Sequence, residues 1–312
     1  MSKHPSFLLA TVLILVFFQC VLCTEVRAQD LEPRRWSHLP TGLNVLGFAA
    51  GWTDGDIGFD PVLRIEDATY DLYVGGAAYI RTFEFLGKSS RIDFSLPYAA
   101  GRWEGLVDGL DTVVRRRGFA DPRIRFSVNL YGAPPLSGEE YARFRQENPV
   151  TTTVGAALAV TLPLGDYNDQ KLINLGGNRF VLRPQLGVLH QRHQWQFELT
   201  GSVFLYQDND EFWAGNKLEQ DPLWFVQGHA IYTFKPGFWA SVSGGFAHGG
   251  RSHVSGIAKE DDRRTSYFAV SLGVPINARQ SLKFTYLASN TNISVGADIN
   301  AFVMAWSINW GM

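Results

Sequence analysis

The chain has 312 residues, a formal net charge of −2 and only 19% charged side chains, which excludes the basic surface of a nucleic-acid binder and the charge density of a solvated tail. Its two cysteines, Cys20 and Cys23, lie so near the start that they offer neither a disulfide framework nor a cysteine zinc site. Glycine is abundant at 31 residues, and aromatics reach 13% with nine tryptophans.

Lys3 precedes an apolar run from Phe7 to Leu22, and Val26-Arg27-Ala28 supplies a small-residue cleavage site, so residues 1–28 read as a secretory signal peptide. Gln19 and Leu22, the residues before the cysteines, are not the small ones of a lipoprotein signal. Beyond this segment no run of about 18 apolar residues appears, so a second membrane helix has no candidate. Residues 29–40, "QDLEPRRWSHLP", read as an N-terminal segment on the periplasmic side, and 41–312 as one β domain.

Within 41–312 the hydrophobic period is two rather than 3.6, and about twelve alternating segments are separated by Gly, Pro, Asn and Asp clusters. In chain order they fall near 41–52, 71–83, 90–100, 122–131, 153–162, 179–190, 194–206, 223–234, 238–247, 266–275, 281–288 and from 301 to the end. In the fourth, Ile124, Phe126, Val128 and Leu130 oppose Arg123, Arg125, Ser127 and Asn129; in the seventh, Trp195, Phe197 and Leu199 oppose Gln196, Glu198 and Thr200. Pro184 cannot donate a ladder hydrogen bond, which predicts a bulge or local break in the sixth. Short connections near 87–89, 191–193, 235–237 and 277–279 alternate with long ones near 53–69, 101–117, 165–178, 208–221, 249–264 and 289–298. The segment 132–149 breaks this rhythm and is long enough for a helical turn.

One face of each segment is large and apolar, while the other is small and neutral with scattered arginine, unlike the Lys/Glu coat of a soluble sheet. Closure is the only way to satisfy strand backbones in hydrocarbon, so the pattern predicts an all-β, transmembrane antiparallel β-barrel of the outer-membrane type with about 12 strands. Trp195, Trp224, Phe234, Phe238, Trp306 and Trp310 sit at or near predicted strand ends, as interfacial girdles do. In the last segment Phe302, Met304, Trp306, Ile308 and Trp310 form the lipid face, and Phe302, Trp306 and Trp310 supply an aromatic terminal signal for barrel-assembly machinery. On the inward parity the sequence places Arg81, Arg91, Asp93, Arg123, Arg125, Asn129, Arg183, Gln185, Glu198, Gln227, His229 and Lys283 as pore-lining residues. These arginines either pair with the acids and stiffen the wall, or leave a positive field that favours anions.

Other sites are weak. His248 and His253 do not have metal-ligand spacing, "DGDIGFD" at 54–60 lacks the closing glutamate of a calcium loop, and "LGGNR" at 175–179 lacks a strand-to-helix context. Ser252-His253 is an adjacent pair in a loop rather than a nucleophile with its base. No catalytic residue, metal or cofactor is therefore assigned. The expected partners are outer-membrane lipid, the assembly machinery and a small-molecule solute. The leading function is a channel for passive or facilitated uptake of small compounds, aromatic or anionic ones among them. The competing reading is a non-conducting barrel with a structural or surface-binding role.

Four stretches, "GFADPRIRFSVNLYGAPPL" (118–136), "TVGAALAVTLPLGDYNDQKLINLGGNRFVLRPQLGV" (153–188), "DPLWFVQGHAIYTF" (221–234) and "GGRSHVSG" (249–256), resemble the outer-membrane transporter family associated with the meta-cleavage pathway of phenol degradation. The resemblance spans roughly residues 40 to 310 and implies a Gram-negative outer-membrane barrel that passes aromatic compounds. Phe180 stands where that family commonly has tryptophan, and Gln185 where it commonly has glutamate.

Overall fold

The computed structural model describes residues 31–58, 65–107, 109–171, 173–291 and 296–311, so the proposed signal peptide lies outside the described residues. The first strands are β1 (Asn44–Gly58), β2 (Ile65–Phe85), β3 (Lys88–Val107), β4 (Leu110–Phe119) and β5 (Arg123–Tyr131). A helix at Gly138–Glu147 follows, then β6 (Val150–Thr161), β7 (Val181–Arg192) and β8 (Trp195–Tyr206). Two short strands, β9 (Asn209–Phe212) and β10 (Asn216–Gln220), precede β11 (Leu223–Lys235) and β12 (Phe238–Gly249). The chain ends with β13 (Ser252–Val254), β14 (Ile257–Ala258), β15 (Arg263–Pro275), β16 (Gln280–Thr291), β17 (Gly296–Ala297) and β18 (Ile299–Trp310).

Neighbouring long strands pair antiparallel, and β1 pairs with both β2 and β18, so twelve strands close a barrel: β1, β2, β3, β5, β6, β7, β8, β11, β12, β15, β16 and β18. The predicted segments and the helical turn in 132–149 match this order. Three long connections differ from expectation. The stretch 101–117 is mostly strand, because β3 continues to Val107 and β4 folds back along it in register from Val107↔Leu110 to Tyr98↔Phe119. The stretches 208–221 and 249–264 build a second sheet, β14-β13-β10-β9, around buried Phe212, Leu218 and Val254.

β4 and β5 form one broken strand beside β3, interrupted at 120–122. Asp121 fixes the break by accepting backbone N–H bonds from Gly165 at 2.8 Å and Gly177 at 2.7 Å, which ties the 162–180 loop to the wall. Pro184 keeps its register with Leu158 on β6, but the β7–β8 ladder has no pairs for residues 183 and 184. The result is a local break without a bulge.

Alternation sorts the side chains as expected over most of the wall. Phe197, Leu199, Val226, Val242, Phe268, Phe302 and Met304 are exposed on the outer face, while Glu198, Thr200, Gln227, Ser243, Ala269 and Val303 are buried inside. Trp195, Tyr232, Phe234 and Phe238 form a continuous aromatic cluster at the short-turn end, with successive centroid distances of 4.9 Å. On β18, Trp306 stacks on Phe48 of β1 at 6.2 Å and donates its indole N–H to Gln280 of β16 at 3.1 Å, so one aromatic bridges the closure. Gly311 follows with φ +86°, and a Cβ there would lie 2.5 Å from the Gly42 carbonyl oxygen. The chain can end its strand this close to the turn before β1 only with glycine.

Removing residues 308–312 deletes the register partners of Asn44, Val45 and Leu46 on β1. The truncated chain is expected to leave the barrel open and to lose its heat-modifiable band on gels. Trp306→Arg, near the strand end, should cost less in denaturant unfolding from lipid than the about 2–4 kcal/mol of a midplane arginine.

Candidate functional site

The lumen is not empty. Residues 31–43 run through it, from Leu31 packed with Phe204 and Phe225 in the long-loop half to Leu43 at the start of β1. The segment 29–40, read from the sequence as a periplasmic N-terminal segment, has its described part, from Leu31, inside the barrel. Trp36 is its anchor, with 1% of its surface exposed. The indole fills the space left by two inward glycines in register, Gly155 on β6 and Gly187 on β7; a Cβ on them would lie 2.3 and 1.9 Å from its atoms. Its N–H donates to Thr200 Oγ1 on β8 at 2.8 Å.

Charge pairing completes the attachment. Asp93 Oδ2 accepts from Arg35 of the segment at 2.8 Å and from Arg125 of β5 at 2.9 Å, with Arg91 3.3 Å from its other oxygen. Glu32 of the segment meets Arg125 at 2.8 Å and Arg123 at 3.1 Å. Arg35 also donates to Ser127 through its guanidinium and to Glu198 through its backbone N–H at 3.1 Å. The Glu32 N–H donates to Gln227 at 3.2 Å, and His229 bridges Gln227 and Ser243 at 3.1 and 2.7 Å. Arg183 donates to Ser202 and lies 4.3 Å from the Phe204 ring centroid.

The structure thus brings Arg91, Asp93, Arg123, Arg125, Glu198, Gln227 and His229 together around the segment, with Asn129, Arg183 and Gln185 on the same inward face. Lys283 also faces inward but lies on the opposite arc, sharing its face with Thr285 and buried Leu287. Arg81 is the exception. On β2 the inward face carries Leu72 and Thr82, so Arg81 points outward with exposed Tyr73, and donates to Asn44 at 3.1 Å. It lies near the strand end, where an arginine leaves the apolar belt for water, so its polarity misreports its face. The sequence reading missed Glu32, Arg35 and Trp36, because an aperiodic dodecapeptide carries no lumenal signature.

At the short-turn end His38 is buried between the segment and the helix, edge-on to Tyr141 and Phe144 at 5.0 and 5.3 Å. Its Nε2–H donates to the Pro134 carbonyl at 2.7 Å, and burial holds its pKa below the ordinary histidine value. In the outer sheet Ser252 donates to Asp261, while His253 faces Asp221 at 3.4 Å, so the two side chains turn to different acids and form no nucleophile–base pair.

A family model described as "Putative MetA-pathway of phenol degradation" matches residues 55–298, more than half of the chain. The chain belongs to this phenol-degradation family. No curated protein sequence matches it significantly. Among solved structures, an outer membrane channel from Pseudomonas putida F1 superposes with TM-score 0.73 at 20% identity, covering 90% of this chain and 100% of that one. The transport unit of the autotransporter AIDA-I from Escherichia coli gives 0.52 at 11% identity, covering 98% and 99%. At these identities the likeness establishes the fold, an outer-membrane β-barrel. The matched region, 55–298, contains the strand residues Arg91, Asp93, Arg123, Arg125, Glu198, Gln227 and His229 that surround the segment.

Two outcomes test the attachment. Asp93→Asn leaves the Arg35 and Arg125 guanidinium groups without their shared carboxylate and is expected to cost about 3–5 kcal/mol in segment docking. Trp36→Ala should likewise free residues 31–43 to proteases and hydrogen exchange, while the heat-modifiable barrel persists, since ladder hydrogen bonds close the wall. Because His38 is depressed when docked, docking is complete above its free pKa of about 6.5 and weakens as pH falls through the docked value. Hydrogen-exchange protection in Gly138–Glu147, taken relative to the intrinsic rate at each pH, should fall on acidification, and His38→Gln should flatten that dependence.

Proposed function

We propose that this protein is an outer-membrane channel for small solutes whose lumen is narrowed by its own N-terminal segment. The observation that carries the reading is the asymmetry of the interior. On the arc from β3 to β11 the inward face carries the charged and polar side chains that close on residues 31–38, Asp93, Arg125, Glu198 and Gln227 among them, and the glycines that seat Trp36. On the arc formed by β15, β16, β18, β1 and β2 many of them are small, and Gly47, Ala49, Gly76, Ala78, Ser281 and Ala305 remain partly accessible beside the longer Tyr267 and Lys283. That arc leaves space beside the segment, as a narrow solute path requires. Membership of a family tied to phenol degradation, and the fold shared with a Pseudomonas outer membrane channel, support uptake of small organic compounds.

Short turns on the periplasmic side and long loops outside follow the usual order of such barrels. The segment then enters from the periplasmic end, after removal of a signal peptide spanning residues 1–28, and the assembly machinery reads the β18 aromatics. A non-conducting barrel is the second reading. It is favoured by the long-loop half, where Leu72, Trp103, Ile173 and Leu175 form one buried apolar cluster and Leu31, Phe204, Phe225 and Leu287 another.

Conductance separates the two. The purified barrel in a planar bilayer is expected to pass current in small steps, and deletion of residues 31–39 to enlarge them severalfold. A silent deletion variant would establish the non-conducting reading. Cysteine at Ser255, in the outer sheet, should label from outside intact cells, and cysteine at Ser137 should not.

A further inference from the structure

Most of the inward cations cluster around the segment on one arc, and Lys283 lies apart from them on the other. Lys283 lies in register with Gly273 on β15 and Ala305 on β18, so its lateral neighbours on the inward face are a glycine and an alanine. It is exposed although its strand face points into the barrel, and among the described residues it has no acidic group within ion-pair distance. The same row contains Trp239 of β12, whose register partner is also Gly273. A Cβ on Gly273 would lie 2.2 Å from the indole Nε1, so the ring lies across that glycine in the direction of β16. Trp239 and Lys283 are two strands apart, about 10 Å at the backbone, a gap that the indole and a four-carbon amine narrow from both sides. Arg34 approaches the indole separately, its guanidinium carbon 5.4 Å from the ring centroid. Its backbone is held at φ +68°, a region that non-glycine residues occupy at a cost, so the turn that aims this side chain is specifically maintained.

We infer that Lys283, Trp239 and Arg34 form a binding station for a small aromatic carboxylate at the short-turn mouth of the lumen. The two cations meet the carboxylate and the indole meets the ring, a pairing that neither an inorganic anion nor an uncharged ring satisfies in full. As a station on a transport path it rests on the channel reading, whereas binding itself does not.

The test uses the full-length purified barrel and benzoate as probe. Acylation of Lys283 by a water-soluble amine reagent, read by mass spectrometry, should proceed in the free protein. Benzoate should slow it about fivefold or more, and acetate or phenol at equal concentration should have little effect. Trp239→Leu and Arg34→Gln, each checked for a heat-modifiable band, should abolish the protection. An unreactive Lys283, or protection that acetate reproduces or that survives Trp239→Leu, overturns the proposal. Influx into proteoliposomes supplies the second arm. Lys283→Gln should lower benzoate entry severalfold relative to a neutral solute. Protection without wild-type influx refutes the channel reading while the site stands, and influx without protection refutes the site while the channel stands.

Discussion

The interior of this barrel is organised by one buried ionic junction, the Asp93 carboxylate shared between Arg35 of the N-terminal segment and Arg125 of the wall. A carboxylate in a confined lumen is tolerated only if it is paired, and so is each guanidinium. Glu32 extends the pairing to Arg123 and Arg125, so four arginines and two acids, Glu32 and Asp93, are distributed across the segment and two adjoining strands, β3 and β5. The wall cannot present those arginines to a passing solute while they hold the segment. The positive lumenal field that their sequence positions suggest is therefore largely spent on the protein itself.

Glycine makes the junction possible in a second way. Gly155 and Gly187 face inward in register, where larger side chains would fill the lumen, and the vacancy admits the Trp36 indole with a hydrogen bond from Nε1 to Thr200. Wall and segment are thus cut to fit one another: the wall gives up side-chain volume on β6 and β7, and the segment returns it as a single rigid ring. Packing of this kind costs little entropy on the wall side, because glycine has no rotamers to freeze.

The barrel was legible because lipid imposes a strict period of two, and strands such as β8 or β18 have no other way to hide Phe197, Leu199, Phe302 and Met304. Where that constraint ends, so did legibility. β4, with Arg115, Arg116 and Arg117, pairs beyond the apolar belt, where neither face is held to apolar residues, and it reads as loop. Arg81 failed for the same reason at a strand end. The lumenal segment was hidden differently: Arg35 and Trp36 carry no period, and their partners lie 58 and 164 residues away in sequence. The signal that was present is the surplus of inward Arg over inward acid on β3 to β7, which a second, acid-bearing element had to answer.

The forces that close the wall and those that fill it are separable. Wall closure rests on backbone ladders that join each barrel strand to the next from β1 round to β18, and within residues 31–43 only Gly42 and Leu43 exchange backbone hydrogen bonds with a wall strand, at Thr82 of β2. Filling rests on side chains: one indole, a few guanidinium–carboxylate pairs and Leu31. Loss of backbone pairs in hydrocarbon costs several kcal/mol each with no water to replace them, whereas departure of the segment from the lumen admits water to the charged groups it leaves behind. The segment can therefore be released without opening the wall, and the arc from β15 to β2, which among the described residues makes no ion pair with residues 31–39 and meets them through Leu31, loses only apolar contact when they leave.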